Sequence, residues 1–193
     1  MTTAGLDNPH YQRLSWLLLA GVMAGAAWSA LAGRWFDVAV LVGFGSLGGL
    51  FIYLQDELPR LFTLLFLVAG LVNAAGYALQ LWQSPVWFDE TVHFYTSFAV
   101  MAGLGWLALA RTRLFGRSVP FLLAVTGLGL LLGILWEVFE WVVGIIGARG
   151  DTIVDLVMDT LGAVAAGLFC AWAAGASRLS PSPHSSKDGA SYG

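Results

Sequence analysis

Six apolar segments, each of roughly 20 residues, follow one another along this chain with short polar turns between them. A helix that crosses the hydrocarbon core of a bilayer needs about 20 mostly apolar residues. The chain is 58% hydrophobic and only 11% charged, whereas soluble domains carry about 25% charged residues. We therefore predict an all-α, polytopic bundle of six transmembrane helices. The predicted spans are Ser15–Leu31, Trp35–Leu54, Leu61–Trp82, Trp87–Ala110, Val119–Ile146 and Thr152–Ala174.

Polar sequence flanks the spans at both ends. Residues 1–14 form a polar N-terminal segment, residues 15–176 the transmembrane domain, and residues 177–193 a tail rich in Ser, Pro and Gly that we expect to be disordered. The first apolar segment could instead be a signal peptide, because its end (SALA) resembles a cleavage region. Asp7, the single Arg of the leader and the length of the apolar stretch favour a retained helix.

The distribution of Lys and Arg predicts the orientation of the bundle, because cytoplasmic loops are enriched in these residues. With six spans, both termini share a side with most of the basic residues, so both are predicted to be cytoplasmic. The residues on that side are Arg13, Arg60, Arg111, Arg113, Arg117, Arg178 and Lys187. Only Arg34 and Arg149 lie on the opposite side.

Composition also limits the partners. The sequence has no basic stripe, which argues against nucleic-acid binding. Membrane lipids are the expected partners, and a homo-oligomer is left open. The single cysteine, Cys170, excludes an internal disulfide and is expected to act as a small buried apolar residue.

Ionisable side chains recur in the last three predicted spans. A charged side chain at the centre of a bilayer costs roughly 2.5–3.5 kcal/mol on insertion scales, so such residues are usually functional. In the predicted topology they reach one depth band on the extracytoplasmic side, and their spacing of three or four residues places those of each helix on one face. The candidates for a metal or proton site are Glu90, His93, Glu137, Glu140, Asp155 and Asp159. Secondary candidates are Asp89, Asp151, Arg149 and Ser97.

So many carboxylates cannot all stay ionised side by side in a low dielectric. Some must hold protons, pair with Arg or protonated His, or bind a cation. Few positive groups are available on that side, which favours either a bound divalent metal ion or raised carboxyl pKa values. Mn, Zn, Fe, Mg and Ca are all compatible with carboxylates and one His. The pair Glu90 and His93 has the Glu-x-x-His spacing of carboxylate-bridged metal helices, although a second copy is missing.

A purely structural interpretation competes with this one at some positions. Asp89, Glu90 and Asp151 begin predicted helices, where acids cap amide groups and meet the positive end of the helix dipole. His93 could be a buried neutral His bonded to a carboxylate. Capping explains Asp155, in the first turn of its helix, somewhat less well. It does not explain three further acids, which lie near a helix C-terminus or deeper in a span. These are Glu137, Glu140 and Asp159.

Three motifs occur in order in the last three spans: Asp89-x-x-x-His93-Phe94, Glu137-x-x-Glu140-Trp141 and Asp155-x-x-x-Asp159-x-x-Gly162. They resemble the YjdF-like family of bacterial inner-membrane proteins, and more distantly the VanZ-like membrane proteins. The resemblance covers the last three spans, and the first three match nothing by motif. It implies a multi-pass protein of the bacterial inner membrane whose activity is unknown.

Three functions fit these observations. The acids and His93 could bind a divalent cation at a periplasm-facing site that acts on or senses an envelope lipid or small ligand. They could instead form the proton or cation pathway of a transporter, although the cytoplasmic half offers only Asn73 as a polar step. Finally, the polar stripes could only hold three helices together in a structural or assembly factor of the cell envelope.

Overall fold

The fold of the chain is entirely helical in the part that the computed structural model describes, which comprises residues 3–81, 87–111, 118–144 and 149–178. No strand occurs within those ranges. The helices are α1 (Thr3–Leu6), α2 (Pro9–Leu31), α3 (Trp35–Tyr53), α4 (Arg60–Leu79), α5 (Trp87–Arg111), α6 (Ser118–Val143) and α7 (Arg149–Arg178). Helices α2 to α7 are each long and apolar enough to cross a membrane, which confirms the predicted six-helix fold.

The first long helix begins six residues earlier than the apolar pattern predicts, at Pro9 instead of Ser15. The side chain of Asn8 accepts a hydrogen bond from the backbone N–H of His10 at 2.9 Å and caps the helix. Pro9 then occupies the first helical position, where its missing N–H costs nothing. The start of the helix is therefore set by this cap, and the pattern of apolar residues alone does not predict it.

Two other helix ends are set by residues with positive φ. Helix α4 ends before Gln80, which has a φ of 56° and a left-handed conformation. Helix α6 ends before Gly144, whose φ is 75°. A left-handed residue closes a helix by satisfying its last carbonyl groups. The predicted span ends at Trp82 and Ile146 lie outside the described residues, as do residues 179–193 of the tail that was predicted to be disordered. The first two residues of that predicted tail, 177 and 178, instead continue α7.

The six long helices form two groups of three. Helices α2, α3 and α4 pack on one another, α7 packs against both α5 and α6, and the contact of α4 with α5 joins the groups. Aromatic rings fill this junction: the ring of Phe62 lies 5.0 Å from that of Trp106 and 5.4 Å from that of Phe169. The motif-bearing spans are therefore a packed unit built around α7.

Small residues allow the close approaches within each group. A Cβ added to Gly25 would lie 3.1 Å from the Cβ of Ala74, so α2 and α4 meet there. A Cβ on Gly162 would meet the backbone of α5 at Phe94 and Phe98. Such contacts are how helices associate in a membrane, where burial from water does not drive packing. Cys170 is fully buried, as expected, and its thiol donates to the carbonyl of Ala102.

The outer surface of the bundle is apolar, most clearly on α6. Leu123, Val138 and Val142 on this helix are more than half exposed. In an 18-residue apolar stretch of α6, only 22% of the residues are buried within the bundle. In water such a continuous apolar surface would be costly, whereas in a bilayer it faces hydrocarbon.

Candidate metal centre between the last three helices

The buried ring of His93 lies between acidic side chains from two helices. Its Nδ1 is 3.4 Å from Oδ2 of Asp159 on α7. Its Nε2 is 3.7 Å from Oδ1 of Asp89, one turn earlier on α5. The spacing of four residues places Asp89 and His93 on one face of α5, and the packing of α5 on α7 supplies Asp159. Both ring nitrogens therefore face a carboxylate.

Asp155 completes a group with the geometry of a metal site. One ligand atom each from Asp89, His93 and Asp155 can be chosen so that all lie within 4.8 Å of one another. His93 and Asp155 are buried, and Asp89 is half-buried. Two carboxylates and one imidazole are a donor set that Mn, Fe, Zn, Mg or Ca accepts. The group could hold a divalent metal and would leave further coordination positions for water or a ligand.

Two carboxylate oxygens, one in this group and one beside it, are buried without a hydrogen-bond partner. They are Oδ1 of Asp155, in a residue that is 3% exposed, and Oε1 of Glu137, in a residue that is 5% exposed. Glu137 comes from α6 and interacts electrostatically with His93, Asp159 and Asp89, while its carboxylate bonds with Thr152. Buried polar atoms in native proteins nearly always have partners, so the two orphaned oxygens point to a missing positive or hydrogen-bond-donating group.

Glycine lets α6 come close enough to deliver Glu137 to this place. A Cβ on Gly133, one turn before Glu137, would lie 2.6 Å from Oδ2 of Asp159. The hydroxyl of Ser97 on α5 donates to the backbone carbonyl of Asp159 at 2.7 Å. Asp159 is therefore held by α5 and α6 together, and the contact of Ser97 is with the backbone carbonyl of Asp159.

The other sequence candidates lie outside the three-residue ligand group. Glu90 and Glu140 are partly exposed, and Asp151 is exposed in the first turn of α7. The possible ligand group contains Asp89, a secondary candidate, and does not contain Glu90, which the Glu-x-x-His spacing had favoured. Arg149 begins α7, but its side chain lies outside the described residues.

Arg34 is paired locally. Its Nε is 3.2 Å from Oδ2 of Asp37, and its guanidinium donates to the hydroxyl of Ser29 at 3.4 Å. Because these partners belong to α2 and α3, the positive charge of Arg34 is paired within the first group of helices.

Sequence reasoning missed Tyr77 on α4. This residue is 9% exposed and interacts electrostatically with Glu140, Asp37 and Asp89. The ring of Phe36 lies 6.3 Å from that of Tyr77 and 6.0 Å from that of Phe139, so aromatic rings link the two groups of helices beside the acids. No spacing in the sequence marks Tyr77, because only the packing of α4 among its neighbouring helices brings it near these acids.

The fold and the site define a class: a multi-pass helical membrane protein with a buried carboxylate and histidine cluster between its last three helices. The chain belongs to the family described as predicted membrane protein DUF2238, whose sequence profile matches residues 12–175. This match confirms the resemblance to the YjdF-like family and extends it over all six long helices. No curated protein and no solved structure matches the chain.

Proposed function

We propose that this protein binds a divalent cation through Asp89, His93 and Asp155, and uses the bound ion to recognise or act on an envelope lipid or another small ligand. The observation that carries the proposal is the mutual approach of the three ligand atoms, all within 4.8 Å of one another. The unpartnered oxygen of Asp155 supports it, because a cation would satisfy that buried atom. With three protein ligands, the ion would keep positions for water or for a ligand oxygen.

A lipid headgroup is the ligand that the surroundings of the site favour. Glu137 is buried towards the cluster, while its neighbours Val138, Trp141 and Val142 are 51%, 70% and 69% exposed. An apolar surface that suits acyl chains therefore lies beside the acids on the same helix. An ion with open positions would polarise a phosphate or carbonyl oxygen, or activate water, and Glu137 is placed to accept a proton nearby.

The proposed location is the bacterial inner membrane, with both termini cytoplasmic and the cluster facing the periplasm. The asymmetry of basic residues supports this orientation. Alkaline phosphatase and green fluorescent protein fused after Gly193 test it. If the green fluorescent protein fusion fluoresces and the phosphatase fusion is inactive, the C-terminus is cytoplasmic, as proposed. An active phosphatase fusion would contradict the proposed orientation and mean that the site lies at the cytoplasmic face.

Metal content tests the function directly. The protein purified in detergent without chelator should carry a divalent metal by elemental analysis, and His93→Ala and Glu137→Gln should reduce it. After chelation, Mn²⁺, Zn²⁺ or Ca²⁺ should raise the midpoint of thermal unfolding, because a ligand at 100 times its Kd stabilises the folded state by about 2.7 kcal/mol. Asp56→Asn, which removes an exposed acid between α3 and α4, is the matched control and should keep the response. Metal-free protein with no thermal response to any of the three ions refutes the proposal.

Ligand class is tested in vesicles. Metal-loaded protein in vesicles of phosphatidylglycerol and phosphatidylethanolamine should bind the headgroup or release phosphate only when the ion is present. Proton or ion flux across the same vesicles would support the transporter instead. Metal-independent stability with an intact phenotype in Glu137→Leu would favour the structural role, since replacing buried charges with apolar residues is often neutral or stabilising.

A further inference from the structure

The two nitrogens of His93 have different neighbours. Nε2 is the nitrogen near Asp89, a member of the ligand group, whereas Nδ1 faces Asp159, which is outside that group. We propose that Asp159 is a positioning residue, whose carboxylate accepts a hydrogen bond from Nδ1–H of His93 and so presents Nε2 to the cation. This inference rests on the proposed function, and assigns within it the part played by a fourth side chain.

The chemistry of imidazole gives the reason. A neutral ring carries one proton, and the nitrogen without it is the one that can bind a metal. An acceptor fixed beside Nδ1 keeps the proton there, which leaves the lone pair of Nε2 free on the side of the ring that faces Asp89. Metal-binding histidines commonly donate their second N–H to a carboxylate in this way, and loss of that partner typically weakens metal binding 10- to 100-fold.

Asp159 is held firmly enough to perform this role. It is 6% exposed, and its backbone carbonyl accepts the hydrogen bond from Ser97. On the other side, its carboxylate lies against Gly133, where an added Cβ would be 2.6 Å from Oδ2 and 3.2 Å from Cγ. The bare backbone of α6 at Gly133 is therefore what leaves space for the carboxylate beside His93.

The first experiment measures Zn²⁺ affinity in the detergent-purified full chain. Asp159→Asn keeps the shape of the side chain but allows its amide N–H to face Nδ1, which favours the wrong ring tautomer. We expect the affinity for Zn²⁺ to fall 10- to 100-fold. Asp56→Asn makes the same chemical change at an exposed position between α3 and α4 and should leave the affinity within about twofold of the wild type.

A spectroscopic readout separates positioning from a general loss of structure. The chain has three histidines, so replacing His10 and His184 with Gln leaves His93 as the only source of an imidazole signal. With ¹⁵N-labelled histidine and bound Zn²⁺, we expect a protonated Nδ1 and a coordinated Nε2. Coordination through Nδ1 overturns the inference. Asp159→Asn should change the tautomer signature, and an unchanged signature with unchanged affinity overturns it as well.

Gly133→Ala tests the same idea without altering any polar group. The new methyl group should displace the carboxylate of Asp159 and lower Zn²⁺ affinity. Gly127→Ala on the same helix is the control, because a Cβ there meets nothing within 4 Å. If wild-type protein binds no divalent cation, the proposed function itself fails. If it binds Zn²⁺ and both Asp159→Asn and Gly133→Ala bind it equally well, only the assignment of Asp159 fails.

Discussion

Nδ1 of His93 and Oδ2 of Asp159 face each other at 3.4 Å across the packed interface of α5 and α7, although the two residues are 66 positions apart in the chain. The same contact orients the imidazole ring and links the two helices. Helix packing and the candidate metal centre therefore share residues, so experiments must distinguish loss of the ion from loss of the fold.

Asp89→Asn should weaken metal binding more than Glu90→Gln does. Asp89 belongs to the ligand group and lies 3.7 Å from the ring of His93, whereas Glu90 points from a neighbouring position of α5 and lies outside the group. We expect at least a tenfold higher Kd for Mn²⁺ in Asp89→Asn, by calorimetric titration, and a change below about threefold in Glu90→Gln. The reverse order would restore the Glu-x-x-His interpretation and remove Asp89 from the site.

Asp155→Asn should have opposite effects on stability in the absence and the presence of metal. Asp155 is buried with one unpartnered oxygen and shares its site with other acids, so loss of its charge should stabilise the chelated protein, by about 1–3 kcal/mol. With saturating Mn²⁺ the wild type should become the more stable protein, because it gains the free energy of ion binding. Thermal unfolding of both proteins, with EDTA and with Mn²⁺, measures this reversal of their relative stability. A variant that is less stable than the wild type in EDTA contradicts the prediction.

Gly162→Ala should destabilise the bundle. The added methyl group would collide with backbone atoms of α5 at Phe94 and Phe98, which cannot rotate away as a side chain can. Overpacking of this kind costs about 1–3 kcal/mol or more. The matched control is Gly175→Ala on the same helix, where a Cβ meets nothing within 4 Å and helix propensity favours Ala by up to about 1 kcal/mol. Unfolding titrations in mixed micelles compare the two, and equal stabilities would show that α5 and α7 are not this close.

Asn73→Ala should weaken the junction between the two groups of helices. The amide of Asn73 donates to the hydroxyl of Thr96 on α5 and to the carbonyl of Ala69 on its own helix, both at 3.0 Å. Hydrogen bonds between membrane helices average about 0.6 kcal/mol and reach about 1.7 kcal/mol. A double-mutant cycle with Thr96→Val should yield a coupling in this range. Thr160→Val, which removes a bond within one helix, serves as the control for hydroxyl loss. A coupling of zero would mean that the Asn73–Thr96 bond does not stabilise the junction.

Much of the fold was predictable because each span satisfies its own backbone groups. Inside a bilayer the N–H and C=O groups must bond within the helix, so an apolar stretch of sufficient length predicts a helix without knowledge of its neighbours. The interhelical hydrogen bond from Asn73 to Thr96 follows the same rule, since an amide in the middle of a span needs a partner. Helix ends were less predictable. The start at Pro9 depends on the Asn8 cap, and Gln80 ends α4 in a conformation that few residues other than Gly adopt.

The site was predictable as a set of residues but not as a geometry. Spacing along α5 places Asp89, Glu90 and His93 on nearby faces, and it cannot decide which of the two acids meets the ring. That choice depends on how α5 is rotated against α7. The same rotation brings in Asp155 and Asp159, and the packing of α4 brings in Tyr77.

The sequence by itself therefore determined the class of the protein, the six long helices and the acids that require an explanation, because length, hydropathy and the cost of a buried charge are local properties. Only the tertiary structure decided that Asp89 joins His93 and Asp155, that Asp159 faces the second nitrogen of the ring, and that oxygens of Glu137 and Asp155 remain unpartnered. These relations depend on rotations and close approaches between helices, which Gly133 and Gly162 permit and which no single segment encodes.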